Sequence, residues 1–271
     1  MELTEQQVNH FQTFGFCTFR NFFSPDELQR YTREFEHGLD RWIEGGKHDG
    51  SKREFALFMY EWTPYIASLI DEDRFVKTAE TFLGKPVIGN STNGNYYIGD
   101  TQWHPDGAKP DPEMAGIKFA IYLDPIDGSS GALRVIPGSH KEPLHTTLSK
   151  DPVNAYGCRP DEVPAYACVS RPGDVVAFHS ATWHSSFGGS SHRRMGTVQY
   201  WVDPSTPEGE AYFIDRVAKG RDGALRLGHK GGYSRFPEYW RQIDNPRHQY
   251  WVRRLAAAGA FEDVPLPAGS R

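Results

Sequence analysis

A histidine and an aspartate lie two positions apart in the sequence QWHPDG at residues 102–107. On a β-strand, side chains at i and i+2 point to the same side of the sheet, so His104 and Asp106 can approach one metal ion. Pro105 between them has no N–H group to donate, which suits a sheet edge or rim. The His-x-Asp pattern alone is weak evidence, because a turn capped by the aspartate accounts for it at least as well.

A third ligand is expected in the segment PGDVVAFHSATWHSSFGGSSHRRMGTVQYW, in which a strand ends, two histidines follow and a second strand begins. Of these, His184 lies far from Asp106 in sequence but can be adjacent to it across two sheets. Two histidines and one carboxylate form the facial triad of non-haem iron(II), which leaves coordination positions open for a co-substrate and oxygen. Zinc is the alternative metal, but neither an HExxH motif nor a nearby glutamate base is evident.

Two arginines, Arg193 and Arg194, open the strand that follows His184. A guanidinium can hold a carboxylate through two parallel hydrogen bonds and would suit the far end of a dicarboxylic acid. Arginine pairs are more often solvated surface charges. Their position one strand from the candidate metal site favours the binding role.

Strands must position these residues, because from about residue 86 short apolar segments are separated by Gly, Pro, Asn and Ser. The predicted strands are 86–90, 94–99, 117–123, 132–136, 165–169, 174–179 and 195–202. Without regular helices between them, these strands indicate a sandwich or jelly roll rather than a parallel α/β sheet.

Helices are predicted on both sides of the strands. Thr4 and Gln7 have the spacing of a capping box, and Ser24 followed by Pro25 is a stronger start signal. Further helices are expected at 64–71, 73–83, 207–219 and 237–258. We therefore expect one domain of mixed α+β fold: an N-terminal helical region at 1–85, a jelly-roll core at 86–202 that carries the metal site, and a C-terminal helical extension at 203–271.

Composition narrows the function classes. The net charge of -5 and a pI near 6.1 give no broad basic surface for nucleic acid. No apolar segment approaches the roughly 20 residues needed to cross a bilayer, and the N-terminus is polar rather than signal-like. The three cysteines lack CxxC spacing, which fits reduced thiols. We expect a cytoplasmic protein, monomeric or homodimeric, with a small-molecule substrate and without nucleic-acid or membrane partners.

Taken together, these segments resemble the phytanoyl-CoA dioxygenase family of iron(II)- and 2-oxoglutarate-dependent oxygenases. The resemblance runs from about residue 5 to 202. It is carried by WHPDG, by LDPIDGSSGALRVIPGSHK, and by PGDVVAFHSATWHSS followed by RRMGTVQYW. Ser130-Gly131 stands where the family usually has Asn-Gly. The resemblance implies a double-stranded β-helix, the cupin-like jelly roll, with flanking helices.

The resemblance also implies a ligand set. It makes His104, Asp106 and His184 the iron ligands, and it selects His184 over His179 as the distal histidine. The cofactors it implies are Fe(II), with 2-oxoglutarate and O2 as co-substrates.

For 2-oxoglutarate, the family's binding arginine corresponds to Arg193, with Arg194 as the alternative. Ser186 and Gln102 are weaker candidates for hydrogen bonds to the same co-substrate, since each also fits an ordinary polar loop group.

The expected reaction is oxidation of an unactivated C–H bond, with release of succinate and carbon dioxide. Family-like enzymes that halogenate carry a small residue where this chain has Asp106, so hydroxylation is favoured. A small metabolite or natural product is the expected substrate, in contact with residues 46–62 and 205–240. Two alternatives are a non-catalytic sensor that binds metal and 2-oxoglutarate, and a hydroxylase of protein side chains.

Overall fold

The computed structural model describes residues 2–43, 47–149, 151–189, 193–226 and 234–261. The α-helices there are α1 (Glu5–Phe14), α2 (Pro25–Trp42), α3 (Pro64–Ser68), α4 (Asp73–Leu83), α5 (Leu144–Leu148), α6 (Pro152–Tyr156), α7 (Pro207–Arg226), α8 (Glu238–Arg241) and α9 (Pro246–Ala257). The strands are β1 (Phe16–Phe19), β2 (Glu54–Leu57), β3 (Val87–Tyr97), β4 (Thr101–His104), β5 (Gly116–Tyr122), β6 (Arg134–Val135), β7 (Tyr166–Ala167), β8 (Val175–His179), β9 (His184–Ser186) and β10 (Arg193–Val202).

The strands form two antiparallel sheets. The larger sheet has the order β1-β8-β5-β10-β3-β2, and the smaller has the order β4-β9-β6-β7. Apolar side chains from both sheets meet in one buried cluster that includes Tyr122 and Phe178 from the larger sheet, Val135 from the smaller sheet, and Leu133, which immediately precedes β6. Two antiparallel sheets that enclose a common core are the architecture of a jelly roll.

Alternation along β5 explains how one strand serves two environments. Ile117, Phe119 and Ile121 are buried in the cluster that also contains residues of α2, α4 and α9. The alternate residues of the strand, Lys118 and Tyr122 among them, face the space between the sheets, because successive side chains of a strand point to opposite faces. The helices thus cover one face of the large sheet, and the other face is left for the site.

The prediction of two strands at 86–90 and 94–99 was wrong, because β3 runs unbroken through the polar sequence NSTNGN. Its polar side chains bond to one another and to β10: Asn93 Oδ1 accepts from Thr197 Oγ1 at 2.7 Å, and Asn90 Nδ2 donates to Gln199 Oε1 at 3.3 Å. Tyr200 pairs with Gly89 and Gln199 with Ser91, so Asn90 is the extra residue of a bulge.

The helix starts follow the predicted capping signals. Thr4 with Gln7 and Ser24 with Glu27 each form a complete capping box. The predicted helix at 237–258 instead divides into α8 and α9, because Asn245 caps a new helix that begins at Pro246.

One hydrophobic cluster contains residues from all three predicted sections of the chain, with Phe35, Phe119 and Trp251 as examples. This shared core supports a single domain, which stays a prediction. Within the described ranges, no helix is both long and apolar enough to span a bilayer.

Gly94 is a position where the fold tolerates no side chain. A Cβ there would lie 2.1 Å from Cε2 of Phe58, a ring that is itself fully buried. We expect Gly94→Ala to lower the free energy of unfolding by about 1–3 kcal/mol, as overpacking typically does. Gly128→Ala is the matched control, since its Cβ would meet only the Ala167 methyl at 3.8 Å. Chemical denaturation of both variants checks this, and equal stabilities would contradict it.

Candidate metal and co-substrate site

The pairing of β4 with β9 brings two of the predicted ligands together. His104 is the Cα partner of His184 in this antiparallel pair, and the two ring centroids lie 4.3 Å apart. Phe178, on the opposing sheet, lies 4.8 Å from the His184 ring. His184 is buried and His104 is half-buried, so the imidazole pair lies at the boundary between the interior and solvent.

Asp106 joins them by a route that the strand pattern did not predict. β4 ends at His104, and Asp106 lies in the segment that follows it. The backbone N–H of Asp106 donates to Ser180 O at 2.8 Å. This bond places Oδ1 of Asp106 at 3.8 Å from His104 Nε2, and Oδ2 at 3.7 Å from His184 Nε2. One ligand atom from each of the three side chains lies within 4.8 Å of the other two.

The hydrogen bonds of the two histidines fix their tautomers. Nδ1 of His104 donates to Gln102 O at 2.7 Å, and Nδ1 of His184 donates to Thr182 O at 2.8 Å, because a carbonyl oxygen can only accept. Each ring therefore presents the Nε2 lone pair to the shared space, as metal-binding histidines do. Burial, partly opposed by Asp106, lowers the pKa of His184 to about 4. This donor set fits a divalent transition metal.

Lys118 is a residue of the site that sequence reasoning missed. Its Nζ lies 2.6 Å from Oδ2 of Asp106. Burial alone would raise the pKa of Asp106, but Lys118 and the two histidines outweigh it and hold that pKa well below its usual range. The sequence did contain a signal for it: a lysine inside the apolar strand IKFAIYL, at a position whose side chain points toward the space between the sheets.

Arg193 reaches the same cavity from β10. Its guanidinium donates to Gly131 O at 2.8 Å, to Ser186 Oγ at 2.6 Å and to Gly99 O at 3.1 Å. All of these acceptors are neutral, and no carboxylate of the described residues lies within 4 Å of it. Burial lowers the pKa of Arg193 because desolvation disfavours the charged form. A buried guanidinium without an ion-pair partner can bind an anion through charge-assisted hydrogen bonds.

The other predicted co-substrate residues differ in their placement. Arg194 points to the opposite face of β10, where it forms ion pairs with Asp124 at 2.6 Å and with Glu36 at 2.6 Å. The side chain of Ser186 lines the cavity and contacts Arg193. The side chain of Gln102 is exposed, and Gln102 is not among the described residues that line this cavity. The structure therefore brings Arg193 and Ser186 to the site, and not Arg194 or Gln102.

An aromatic ring connects Arg193 to a further cation. The guanidinium carbons of Arg193 and Arg53 lie 5.0 Å and 4.3 Å from the centroid of Tyr97. Arg53 also lines the cavity, from the segment that precedes β2. Arg53 lies within residues 46–62, the segment that was expected to contact the substrate, although nothing in the sequence singled out Arg53 itself.

The sequence model of the phytanoyl-CoA dioxygenase (PhyH) family matches residues 11–196, more than two thirds of the chain. The chain belongs to the phytanoyl-CoA dioxygenase family. A curated relative is the ectoine dioxygenase of Bordetella bronchiseptica, which is 24% identical over 157 residues, 52% of this chain and 50% of that protein. The chain thus spans about half the length of the ectoine dioxygenases it matches.

Solved structures confirm the predicted fold class. AviO1 from Streptomyces viridochromogenes Tue57 superposes with a TM-score of 0.59 at 22% identity, over 74% of this chain and 96% of that one. HygX from Streptomyces hygroscopicus, solved with nickel and 2-oxoglutarate bound, gives a TM-score of 0.59 at 18% identity, over 74% of this chain and 88% of that one. At these identities the likeness concerns the fold, which is the mixed α+β jelly roll of this family.

The expected substrate-facing segments are partly corrected. Phe58 and Tyr60, predicted at the rim, are buried in the core between the helices and the large sheet. The segment 205–240 does reach the site, since Tyr212, Arg216 and Arg235 line an adjacent pocket. Residue 46 of the first segment and residues 227–233 of the second lie outside the described residues.

The donor geometry predicts the effect of removing a ligand. We expect His104→Ala and His184→Ala each to weaken Fe(II) binding by more than the roughly 10–100-fold that loss of an outer-shell partner causes. His37→Ala, which removes an exposed histidine of α2, should leave the affinity unchanged. Anaerobic titration of the metal-free protein measures this. Wild-type affinity in His184→Ala would show that the metal binds elsewhere.

Proposed function

We propose that this chain is an iron(II)- and 2-oxoglutarate-dependent oxygenase that hydroxylates an unactivated C–H bond of a small molecule. One observation carries the proposal: His104, His184 and the buried Arg193 line one cavity, and the Asp106 carboxylate lies 3.8 Å and 3.7 Å from the two Nε2 atoms. Arg193 has no ion pair with a described residue. A metal site for stability alone needs no anion-binding group next to it. The family membership and the bound nickel and 2-oxoglutarate of HygX support the same assignment.

Residues of this chain fit both ligands. His104, Asp106 and His184 would hold the metal, and Arg193 would hold the distal carboxylate of 2-oxoglutarate, with Ser186 fixing the guanidinium. When bound, iron(II) with 2-oxoglutarate activates O2 and supplies the oxidant for the C–H bond, with release of succinate and carbon dioxide.

Lys118 acts in this proposal as a positioning residue. Its ion pair with Asp106 keeps the carboxylate charged and oriented toward the two imidazoles although burial opposes the charge. Phe178, Leu133 and Met195 line the same cavity and keep water from it. The carboxylate of Asp106 fills the position that halogenating relatives leave open, which favours hydroxylation.

Succinate formation tests the proposed reaction. Fe(II)-loaded protein with 2-oxoglutarate and oxygen should release succinate in the presence of a substrate, and at a slower uncoupled rate without one. Asp106→Ala should abolish both rates, whereas Asp244→Ala, at an exposed position, should keep them. Mass spectrometry of the succinate is the measurement. If Asp106→Ala turns over as fast as the wild type, the site is not the catalytic centre.

The opposite faces of β10 predict a difference between its two arginines. We expect Arg193→Gln to weaken 2-oxoglutarate binding roughly 30-fold or more, because it removes one partner of a buried charge pair. Arg194→Gln should leave that affinity unchanged and lower stability instead, since Arg194 pairs with Asp124 and Glu36. Calorimetric titration of the Ni(II)-loaded variants distinguishes the two. The reverse pattern would assign the co-substrate to the other face of the strand.

A further inference from the structure

A second pocket, of about 330 Å³, opens beside the metal ligands. It shares Lys118 with the first cavity and has Asp106 in its wall. Its opposite wall comes from α7 and from the segment before α8, which lie after the last residue of the family match. A ligand in this pocket therefore contacts Asp106 of the candidate triad together with residues of the C-terminal extension.

Two guanidinium groups from this extension pack on one indole ring. The guanidinium carbon of Arg216 lies 4.7 Å from the centroid of Trp201, and that of Arg235 lies 5.6 Å from it. Arg216 Nη2 donates to Asp106 O at 3.1 Å, and Arg235 Nη2 donates to Asn90 Oδ1 at 2.6 Å. Each arginine is held by a neutral oxygen and by the ring, so its position is fixed without an acid.

The acids of this pocket already have cationic partners. Asp106 pairs with Lys118 at 2.6 Å, and Asp215 pairs with Lys219 at 2.6 Å. No carboxylate of the described residues lies within 4 Å of either Arg216 or Arg235. The two guanidinium groups are therefore the excess positive charge of the pocket wall.

Each of these arginines also has an N–H group that lacks an acceptor in the described part of the chain. These are Nη1 of Arg216 and Nε of Arg235, both out of contact with solvent. Burial, with Arg216 as the second cause, lowers the pKa of Arg235 to about 10. Two like charges held together away from water are unfavourable until an anion compensates them.

We propose that this pocket recognises the carboxylate of an organic acid, and that this acid is the substrate of the oxygenase. Recognition of a carboxylate does not depend on the proposed function; only the identification of the acid as the substrate rests on it. Each of the two guanidinium groups can hold one oxygen of a carboxylate, whereas a phosphate would bring a further oxygen. Because Arg216 bonds to the backbone of Asp106, the oxidised carbon lies within a few bonds of the acid group.

Ligand pairs that differ only in charge test the recognition. The probes are benzoate and cyclohexanecarboxylate, their primary amides, and phenyl phosphate, each titrated into Ni(II)-loaded protein saturated with 2-oxoglutarate. Saturation with 2-oxoglutarate removes competition for Arg193. We expect the carboxylates to bind and the amides to bind roughly ten- to hundredfold more weakly, as loss of a charge-assisted hydrogen bond predicts. Equal binding of acid and amide, or preference for phenyl phosphate, overturns the proposal.

Variants locate the binding. Arg235→Gln and Arg216→Gln should each weaken benzoate binding about tenfold or more. Lys219→Gln is the matched control: it removes a positive charge from the same wall, but Lys219 is already paired and exposed. Metal and 2-oxoglutarate affinities of each variant show whether the site is intact. If all three variants lose the same affinity, the effect is general electrostatics and the assignment to the two arginines fails.

The outcomes separate this proposal from the proposed function. Arginine-dependent binding of acids by a protein that never forms succinate would keep the carboxylate pocket and refute the oxygenase. Succinate release stimulated by neutral compounds, and not by acids, would keep the oxygenase and refute the carboxylate pocket.

Discussion

The site depends on the register of β4 against β9. This pairing sets His104 opposite His184, and a slip by one residue would turn one imidazole away from the other. β9 is only three residues long, so its position must be fixed by its neighbours. Ile136 N donates to Trp183 O at 2.9 Å, and Trp183 N donates to Ser139 Oγ at 2.9 Å. The PGSHK loop that the resemblance singled out thus holds the distal histidine in register, although none of its side chains belongs to the candidate triad.

Charge burial shapes the space between the sheets. A carboxylate and an ammonium that leave water together are tolerable when they pair closely, as Asp106 and Lys118 do. Arg193 is different, because its partners are carbonyl and hydroxyl oxygens and a tyrosine ring. The described residues give that guanidinium no ion pair, so under the proposed function we expect a bound anion to stabilise the folded state by mass action. The proposed function therefore links co-substrate binding and stability through this one side chain.

The sequence predicted which residues lie together in the candidate site better than it predicted the strands that carry them. Motif order and residue type marked His104, Asp106, His184 and Arg193. β4 and β9 were missed because three or four residues are too few to show a period of two. β3 was divided at STNG because a polar, Gly-containing run resembles a turn, whereas buried partners on β10 satisfy it here. Contacts between distant strands of this kind cannot be predicted from the local sequence.

The candidate metal site and the second pocket are built from different segments of the chain. The family match ends at residue 196, and it contains every residue of the candidate triad together with Arg193. The second pocket is closed by α7, where Tyr212 donates to Gly107 O and Arg216 donates to Asp106 O. These bonds reach backbone atoms of the segment after β4, outside the β4–β9 pairing. Under the proposed function, the jelly-roll core supplies the oxidation chemistry and the C-terminal extension selects the molecule presented to it.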